Sequence, residues 1–183
     1  IAGATEILQG RQYAGVVRRA AMATDRCQPF DKNRQGLIVG EGAGIVVLES
    51  EAHAVRRNAN VVAEVGAIGI TCDAYHITRP HPDATGSVSA MRQAISRSGL
   101  TPADVDFVNA HGTGTKANDQ AEAKVMHEVF GDRRVPISSM KSTIGHCMGA
   151  ASALEAIGCV MTIETGIYPP TMGYETPDPE CDI

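Results

Sequence analysis

Strand and helix patterns alternate along this chain, and that alternation constrains its fold more than any other feature. Short β-branched apolar runs predict strands within four stretches: 37–49, 61–70, 105–112 and 134–140. Helical spacing or charge predicts helices in four others: 51–58, 87–98, 119–130 and 149–162. Since strands that alternate with helices pack in layers, the sequence predicts an α/β layered domain.

Small residues mark places where these elements are expected to lie close together. The glycines of GEGAG, residues 40–44, indicate adjacent strands with closely packed backbones, because the lysine of a phosphate-binding loop is missing. Gly99 is expected to end the helix of residues 87–98. Small and apolar residues nearly all round the stretch 149–162 predict a helix that is buried on most sides.

Composition excludes several classes of protein. The 183 residues are enough for one sizeable core, and the net charge of -5 disfavours a general nucleic-acid binder. The sequence contains no run of eighteen apolar residues, so no membrane-spanning helix is predicted. The five cysteines include no C-x-x-C pair, which indicates neither a disulfide framework nor a zinc site and favours the cytoplasm.

Two segments share one construction, in which a strand leads through a loop of small residues into a helix. The first loop carries His111 with Thr113 and Thr115, and the second carries Lys141 and His146. A single histidine in such a loop is more often structural than functional, but two of them at strand ends indicate a site. The two loops would converge if their parent strands lie side by side.

The sequence around these histidines resembles a known family. VNAHGTGTKANDQAEA (108–123) and SSMKSTIGHCMGAASALEA (138–156) resemble the two histidine motifs of the beta-ketoacyl synthases, the condensing enzymes of fatty acid and polyketide synthesis. PFDKNRQGLIVGEGAGIVVLE (29–49) and PPTMGYETPDPECD (169–182) resemble further segments of that family, in the same order. The resemblance implies a thiolase-like fold with a five-stranded sheet in each half. Residues 1–51 would end the first half and residues 52–183 would form most of the second.

The resemblance also implies a reaction, a decarboxylative Claisen condensation between a cysteine-bound acyl group and malonyl-acyl carrier protein. His111 and His146 would donate hydrogen bonds to the enolate oxygen formed when carbon dioxide leaves. Lys141 would keep both rings neutral through its charge, and Glu122 would pair with Lys141 and orient it. The alternative for that pair is an ordinary surface salt bridge.

Further residues are assigned by the same resemblance. Thr113, Thr115 and Thr78 would contact the phosphopantetheine arm of the substrate, although the first two could instead cap their loop. Arg18 and Arg19 would dock the acidic carrier protein, or else form a solvated charge pair. No metal and no cofactor are expected beyond the phosphopantetheine of the carrier protein, and a homodimer is the expected assembly.

The cysteine beside the second histidine is expected to be structural. Neighbours in sequence at a helix start point their side chains apart, so Cys147 is predicted to be a buried packing thiol and not the nucleophile. The family's nucleophilic cysteine is expected before Ile1 and its phenylalanine-glycine loop after residue 183. The chain is therefore interpreted as a fragment that is inactive by itself.

Three readings of function remain at this point. The first is a synthase of fatty acid elongation, similar to the bacterial type II enzymes. The second is a non-catalytic partner subunit that resembles a chain-length factor and lacks the nucleophile. The third is a ketosynthase domain of a polyketide enzyme, which differs mainly in its flanking sequence.

Overall fold

The computed structural model describes residues 1–77 and 79–183. Strands lie at Ala2–Glu6 (β1), Gly42–Val46 (β2), Val108–Asn109 (β3) and Ile137–Ser138 (β4). Helices lie at Gly10–Arg18 (α1), Glu51–Arg56 (α2), Thr85–Arg97 (α3), Lys116–Phe130 (α4), Lys141–Ile144 (α5) and Ala151–Thr165 (α6). Short 3-10 turns lie at Pro102–Asp104, Met148–Ala150 and Pro179–Cys181.

The first layer of the fold joins β1, β2 and α6. β1 and β2 pair antiparallel from Ala2 opposite Val46 to Glu6 opposite Gly42, and α6 packs across β2. A Cβ atom added to Gly44 would lie 3.1 Å from the backbone of Ala153, which is tighter than an ordinary contact, so glycine favours this close approach of the helix. The predicted close packing of the GEGAG backbone is confirmed.

The second layer joins β3, β4, α3 and α4. β3 and β4 form a parallel pair, with Val108 opposite Ile137 and Asn109 opposite Ser138. α4 connects them as the helix of a strand–helix–strand crossover and packs against α3. Their apolar faces form the main core: Ala84, Val88, Ala121, Val125, Met126, Val129, Phe130 and Val135.

Most predicted elements are present, with shifted ends. α3 and α4 begin two and three residues before the predicted 87–98 and 119–130, and Gly99, at φ +73°, follows the end of α3 as predicted. Between residues 37 and 49 only β2 is a strand, while Leu37 and Val39 form isolated bridges to other segments. α1 was not predicted, because its apolar spacing covers little more than two turns.

Two predictions about the layers are wrong for the described part of the chain. Residues 61–70 form no hydrogen-bonded strand, and five of their valine and isoleucine side chains are exposed. α6 is not buried on most sides, since of its residues only Ala151 and Thr162 are buried. The side chains are apolar as predicted, but those of residues 61–70 lack a cover in the described part of the chain, and α6 is covered there mainly on the side that faces the β1–β2 pair. The described strands form two-stranded sheets instead of a five-stranded one.

None of the helices in residues 1–77 and 79–183 is both long enough and apolar enough to cross a membrane.

Candidate active site

The two histidines predicted to share a site lie together in the structure. The ring centroids of His111 and His146 are 5.4 Å apart, and the ring planes are nearly perpendicular at 86°. The parallel pairing of β3 and β4 produces this approach, because both strands end at the same edge and each leads into one of the loops. The predicted convergence of the loops is confirmed.

The loop that carries His111 is held by its own helix. The two carboxylate oxygens of Glu122 accept hydrogen bonds from the backbone amides of His111, at 2.7 Å, and Gly112, at 2.6 Å. The Ser139 hydroxyl donates to the carbonyl oxygen of Gly112 at 2.6 Å, which ties this loop to the end of β4. Gly112 has φ +39°, and a Cβ atom there would lie 2.4 Å from that of Ser139. The backbone on either side of His111 is therefore fixed.

The loop that carries His146 lies against residues 38–40. The His146 amide donates to the Ile38 carbonyl at 2.7 Å, and the Gly40 amide donates to the His146 carbonyl at 3.1 Å. The Met148 amide donates to Nδ1 of the His146 ring at 3.1 Å. Because Nδ1 accepts this bond, the neutral ring carries its hydrogen on Nε2, where it is available to a substrate.

Both rings favour the neutral form. Burial, with the positive charge of Lys141 as the second cause, lowers the pKa of His111 and of His146 to about 4 each. His111 nevertheless keeps an exposed side, by which a substrate can reach it. Lys141 was predicted to be the cause of neutrality, but burial is the larger cause and the lysine the smaller one.

The predicted ion pair between Glu122 and Lys141 is wrong. Lys141 is 1% exposed, and its ammonium group pairs with the carboxylate of Glu155 on α6. The oxygens of Glu122 are occupied by the two loop amides and by the side-chain amide of Asn118 at 2.8 Å. Burial raises the pKa of Glu122, and those hydrogen bonds act against the rise. The two carboxylates thus have separate tasks: Glu122 orders the His111 loop, and Glu155 holds Lys141.

The remaining predicted site residues are Thr113, Thr115, Thr78, Arg18 and Arg19. Thr113 is buried, and its hydroxyl oxygen lies 2.9 Å from that of Thr115, so the two hydroxyl groups share a hydrogen bond. Thr115 precedes α4 but makes no side-chain cap bond to it. Thr78 lies outside the described residues. Arg18 and Arg19 are exposed at the end of α1.

Cys147 is fully buried, as predicted, with its sulfur 3.6 Å from the Ile144 carbonyl oxygen. Burial raises the pKa of Cys147, raises that of Cys27 to about 11 and raises that of Cys181 to about 12. A nucleophilic cysteine needs the opposite shift. No group of three or more His, Cys, Asp or Glu side chains in the described residues is arranged to hold a metal ion.

Sequence reasoning missed three buried charged residues around the histidines. They are Glu155, which pairs with Lys141, and Asp119 and Arg34, which lie behind the His111 loop. The signal for Glu155 is a single carboxylate within the small and apolar stretch 149–162, because such a charge requires a partner when it is buried. Asp119 was interpreted only as a favourable charge near the start of a helix, yet it is completely buried.

This geometry can stabilise a negatively charged oxygen. Two neutral imidazoles from different loops can direct N–H groups at one point, in surroundings from which water is partly excluded. A buried lysine beside them adds positive charge without entering that point. Such an arrangement suits a reaction that produces an enolate or another oxyanion.

Comparison with known proteins identifies the family of this chain. Residues 1–54 match the N-terminal domain of beta-ketoacyl synthases, and residues 62–175 match the C-terminal domain of the same enzymes. The chain belongs to the beta-ketoacyl synthase family. The predicted thiolase-like fold is confirmed by solved ketosynthases with TM-scores of 0.92.

Individual relatives are similar over nearly all of the chain. It is 53% identical over 165 residues to nodulation protein E of Rhizobium meliloti, and the alignment covers 89% of this chain and 41% of the relative. It is 41% identical over 192 residues to 3-oxoacyl-[acyl-carrier-protein] synthase 2 of Coxiella burnetii, which covers 100% of this chain and 46% of that protein. The chain thus spans less than half the length of these relatives.

Two solved structures have a backbone fold similar to that of this chain. The ishigamide ketosynthase/chain length factor has a TM-score of 0.92 at 43% identity, over 97% of this chain and 43% of the other. A ketosynthase of a type II polyketide synthase, AntDE, in complex with its acyl-carrier protein, also has a TM-score of 0.92, at 31% identity. That alignment covers 98% of this chain and 46% of the other.

Proposed function

We propose that the whole protein containing this chain condenses a cysteine-bound acyl group with malonyl-acyl carrier protein and releases a 3-oxoacyl-acyl carrier protein. The observation that carries the proposal is the approach of His111 and His146 to a ring-centroid distance of 5.4 Å, with burial favouring the neutral form of both. The synthase relative that covers the full chain supports elongation of fatty acids as the pathway.

The reaction begins with loss of carbon dioxide from the malonyl thioester. The electron pair of the breaking carbon–carbon bond moves toward the thioester carbonyl, and negative charge develops on its oxygen. Nε2–H of His146 and an N–H of His111 donate to that oxygen, and their fixed orientation replaces mobile water. The enolate carbon then attacks the acyl thioester, a new carbon–carbon bond forms, and the cysteine leaves as a thiolate.

Lys141 and Glu122 support the histidines in this scheme. The Lys141 charge makes protonation of either ring less favourable, so both remain donors that need not first release a proton. Glu122 holds the His111 backbone. Thr113 and Thr115 would exchange their mutual contact for the amides of the phosphopantetheine arm, and no further cofactor takes part.

The nucleophilic cysteine is proposed to lie in the part of the whole protein outside this chain. Burial raises the pKa of Cys27, Cys147 and Cys181, which is opposite to the requirement for a nucleophile. The 183-residue chain alone is accordingly expected to have no condensing activity. Acyl carrier protein as partner, docked at Arg18 and Arg19, and a homodimer in the cytoplasm complete the proposal.

The proposal is tested by measuring decarboxylation of malonyl-acyl carrier protein by the whole protein. His111→Ala and His146→Ala are each expected to slow decarboxylation on the order of 10²- to 10³-fold, the usual effect of losing one oxyanion donor. The matched control is His53→Ala, since His53 is exposed and contacts Glu49 on the surface. Equal rates in all four proteins would contradict the proposal.

A second candidate, a chain-length-factor-like partner subunit, is favoured by the similarity to the ishigamide ketosynthase/chain length factor. Mass spectrometry of the whole protein after incubation with an acyl-carrier protein thioester separates the two candidates. A synthase gains one acyl group on a cysteine, whereas a partner subunit of this kind gains none.

A further inference from the structure

A cluster of buried charges lies behind the His111 loop. It joins three segments: the turn at residues 29–34, the start of α4, and the C-terminal strap, defined here as residues 173–183. Its members are 8% exposed or less: Asp31, Arg34, Asp119 and Asp178. Buried charges are costly unless they are paired, so each of these must have a specific task.

Asp119 connects the turn to the histidine loop. One carboxylate oxygen accepts from the Phe30 amide at 2.9 Å, and the other accepts from the Gly114 amide at 3.3 Å. Gly114 has φ +77° and lies at the far end of the loop that begins with His111. Since Glu122 already binds the near end, Asp119 provides the second anchor that defines the shape of the loop.

Arg34 is the partner that compensates the Asp119 charge. Its Nε lies 3.3 Å from Oδ2 of Asp119, and both side chains are almost completely buried. Nη1 of Arg34 donates to the Asp31 carbonyl at 2.8 Å and also binds the Asp178 carboxylate of the strap. One guanidinium group therefore joins the turn, the strap and the anchor of the loop.

Arg34 is one of several neighbours that favour the charged form of Asp119. Burial raises the pKa of Asp119, whereas the hydrogen bonds from Phe30 and Asn118, the Arg34 charge and the hydrogen bond from Gly114 oppose the rise. Cys27, Glu122 and Cys181 also face Asp119. In a protonated carboxyl group the oxygen that carries the hydrogen is a weaker acceptor, so Asp119 would hold one of the two backbone amides less firmly.

We propose that Arg34 is a positioning residue that sets the His111 imidazole by keeping Asp119 as an acceptor for both the Phe30 and Gly114 amides. This inference rests on the proposed function for its catalytic consequence, but its structural part stands independently. Arg34 also binds the turn and the strap, but Asp119 is the partner through which it reaches the His111 loop.

The test uses the whole protein with Arg34→Gln, Arg34→Lys and the control Arg26→Gln. Arg26 pairs with Glu175 of the same strap, but both side chains are exposed and neither contacts Asp119. Arg34→Gln is expected to slow decarboxylation on the order of 10²-fold, the effect of a displacement of roughly 1 Å at a reacting group. Its rate should rise with pH as Asp119 loses its proton, whereas the wild-type and Arg26→Gln rates stay flat.

Arg34→Lys keeps a positive charge and is expected to restore the flat pH profile, though not the full rate, because lysine lacks the planar fork.

A double variant makes the test independent of the folding of Arg34→Gln. With Asn in place of Asp119 there is no charge to maintain, so Arg34→Gln/Asp119→Asn should decarboxylate at the rate of Asp119→Asn alone. Additive losses in the double variant, or a flat profile for Arg34→Gln, would overturn the proposal.

A spectroscopic readout separates failure of this inference from failure of the proposed function. The His111 ring signal, followed by NMR titration of the whole protein, needs no activity. Arg34→Gln is expected to loosen the loop and raise the pKa of His111 toward its ordinary value, while Arg26→Gln leaves it in place. An unchanged His111 pKa in Arg34→Gln would refute the positioning role even if the protein proves not to be a synthase.

Discussion

At the scale of single residues, the site depends on keeping two imidazoles uncharged beside a buried lysine. Burial is the largest cause of the lowered pKa values of His111 and His146, and the Lys141 charge adds to it. Lys141 in turn pairs with Glu155, so its ammonium group is not an isolated buried charge. The rings can therefore act as hydrogen-bond donors near neutral pH without depending on the lysine alone.

These depressed pKa values predict a dependence of stability on pH. Between about pH 6.5 and about pH 4 the unfolded chain binds protons at both histidines that the folded protein does not bind, so the free energy of unfolding falls as the pH falls. Above that window both states are neutral at these positions and the effect vanishes. Urea unfolding of the whole protein at about pH 7 and about pH 5 should show the loss.

The control for this prediction is a variant with both rings replaced, His111→Phe/His146→Phe. It should lose less stability between the two pH values than the wild type does. An equal loss in both proteins would show that the folded rings take up protons like exposed histidines.

Single residues were predictable where the chemistry is local. His111, His146 and the buried Cys147 follow from the residue types and from their resemblance to known motifs. The partner of Lys141 was not predictable in this way, because Glu122 and Glu155 both lie within reach in sequence. In the structure Glu155, on α6, is the carboxylate that pairs with the lysine.

At the scale of elements, the approach of the histidines follows from a short parallel strand pair and from glycines beside it. Gly40 packs against the His146 loop so closely that a Cβ atom would lie 2.3 Å from the Ile144 carbonyl oxygen and 3.0 Å from the Cys147 sulfur. This close contact fixes the position of the loop that carries His146 relative to the loop that carries His111.

Gly40→Ala is therefore expected to displace the His146 loop. The predicted cost is roughly 1 to 3 kcal/mol of unfolding free energy, together with slower decarboxylation, because the added methyl group meets backbone that cannot move freely. Gly15→Ala is the matched control, since a Cβ atom at Gly15 in α1 meets nothing within 4 Å and alanine favours the helix. Chemical unfolding and the decarboxylation assay measure both variants, and a Gly40→Ala protein as stable and active as Gly15→Ala would contradict the account.

The elements themselves were predictable from periodicity to within a few residues, but their partners were not. The stretch 61–70 has the composition of a strand yet has no ladder in the described residues, because a strand requires a neighbour and periodicity carries no information about neighbours. The same is true of α6, because its apolar side chains predict burial but do not indicate which element covers them.

At the scale of the whole molecule, large apolar surfaces are exposed. Val61, Val62, Val65, Ile68 and Ile70 are 46% to 77% exposed, and Met161 and Ile163 of α6 and Ile167 just after it are exposed as well. Exposed apolar side chains in such numbers indicate a surface that another segment covers. Because the chain spans less than half the length of its relatives, the remainder of the whole protein is the natural source of a cover.

Hydrogen exchange tests this interpretation. In the whole protein, the amides of residues 61–70 are expected to exchange as slowly as those in the middle of α4, since a covering strand would bind them. The exposed loop at residues 24–26 serves as the fast-exchanging reference. Exchange of residues 61–70 at the speed of that loop would show that the stretch remains an unpaired segment.

The central claim is that His111 and His146 together hold one oxyanion. It is tested most directly by a crystal structure of the whole protein bound to a non-hydrolysable malonyl thioester analogue. We predict that the thioester carbonyl oxygen lies within about 3 Å of a ring nitrogen of both histidines, with Nδ1 of His146 still bonded to the Met148 amide. An oxygen that contacts only one ring, or that contacts the Lys141 ammonium group instead, would contradict the account.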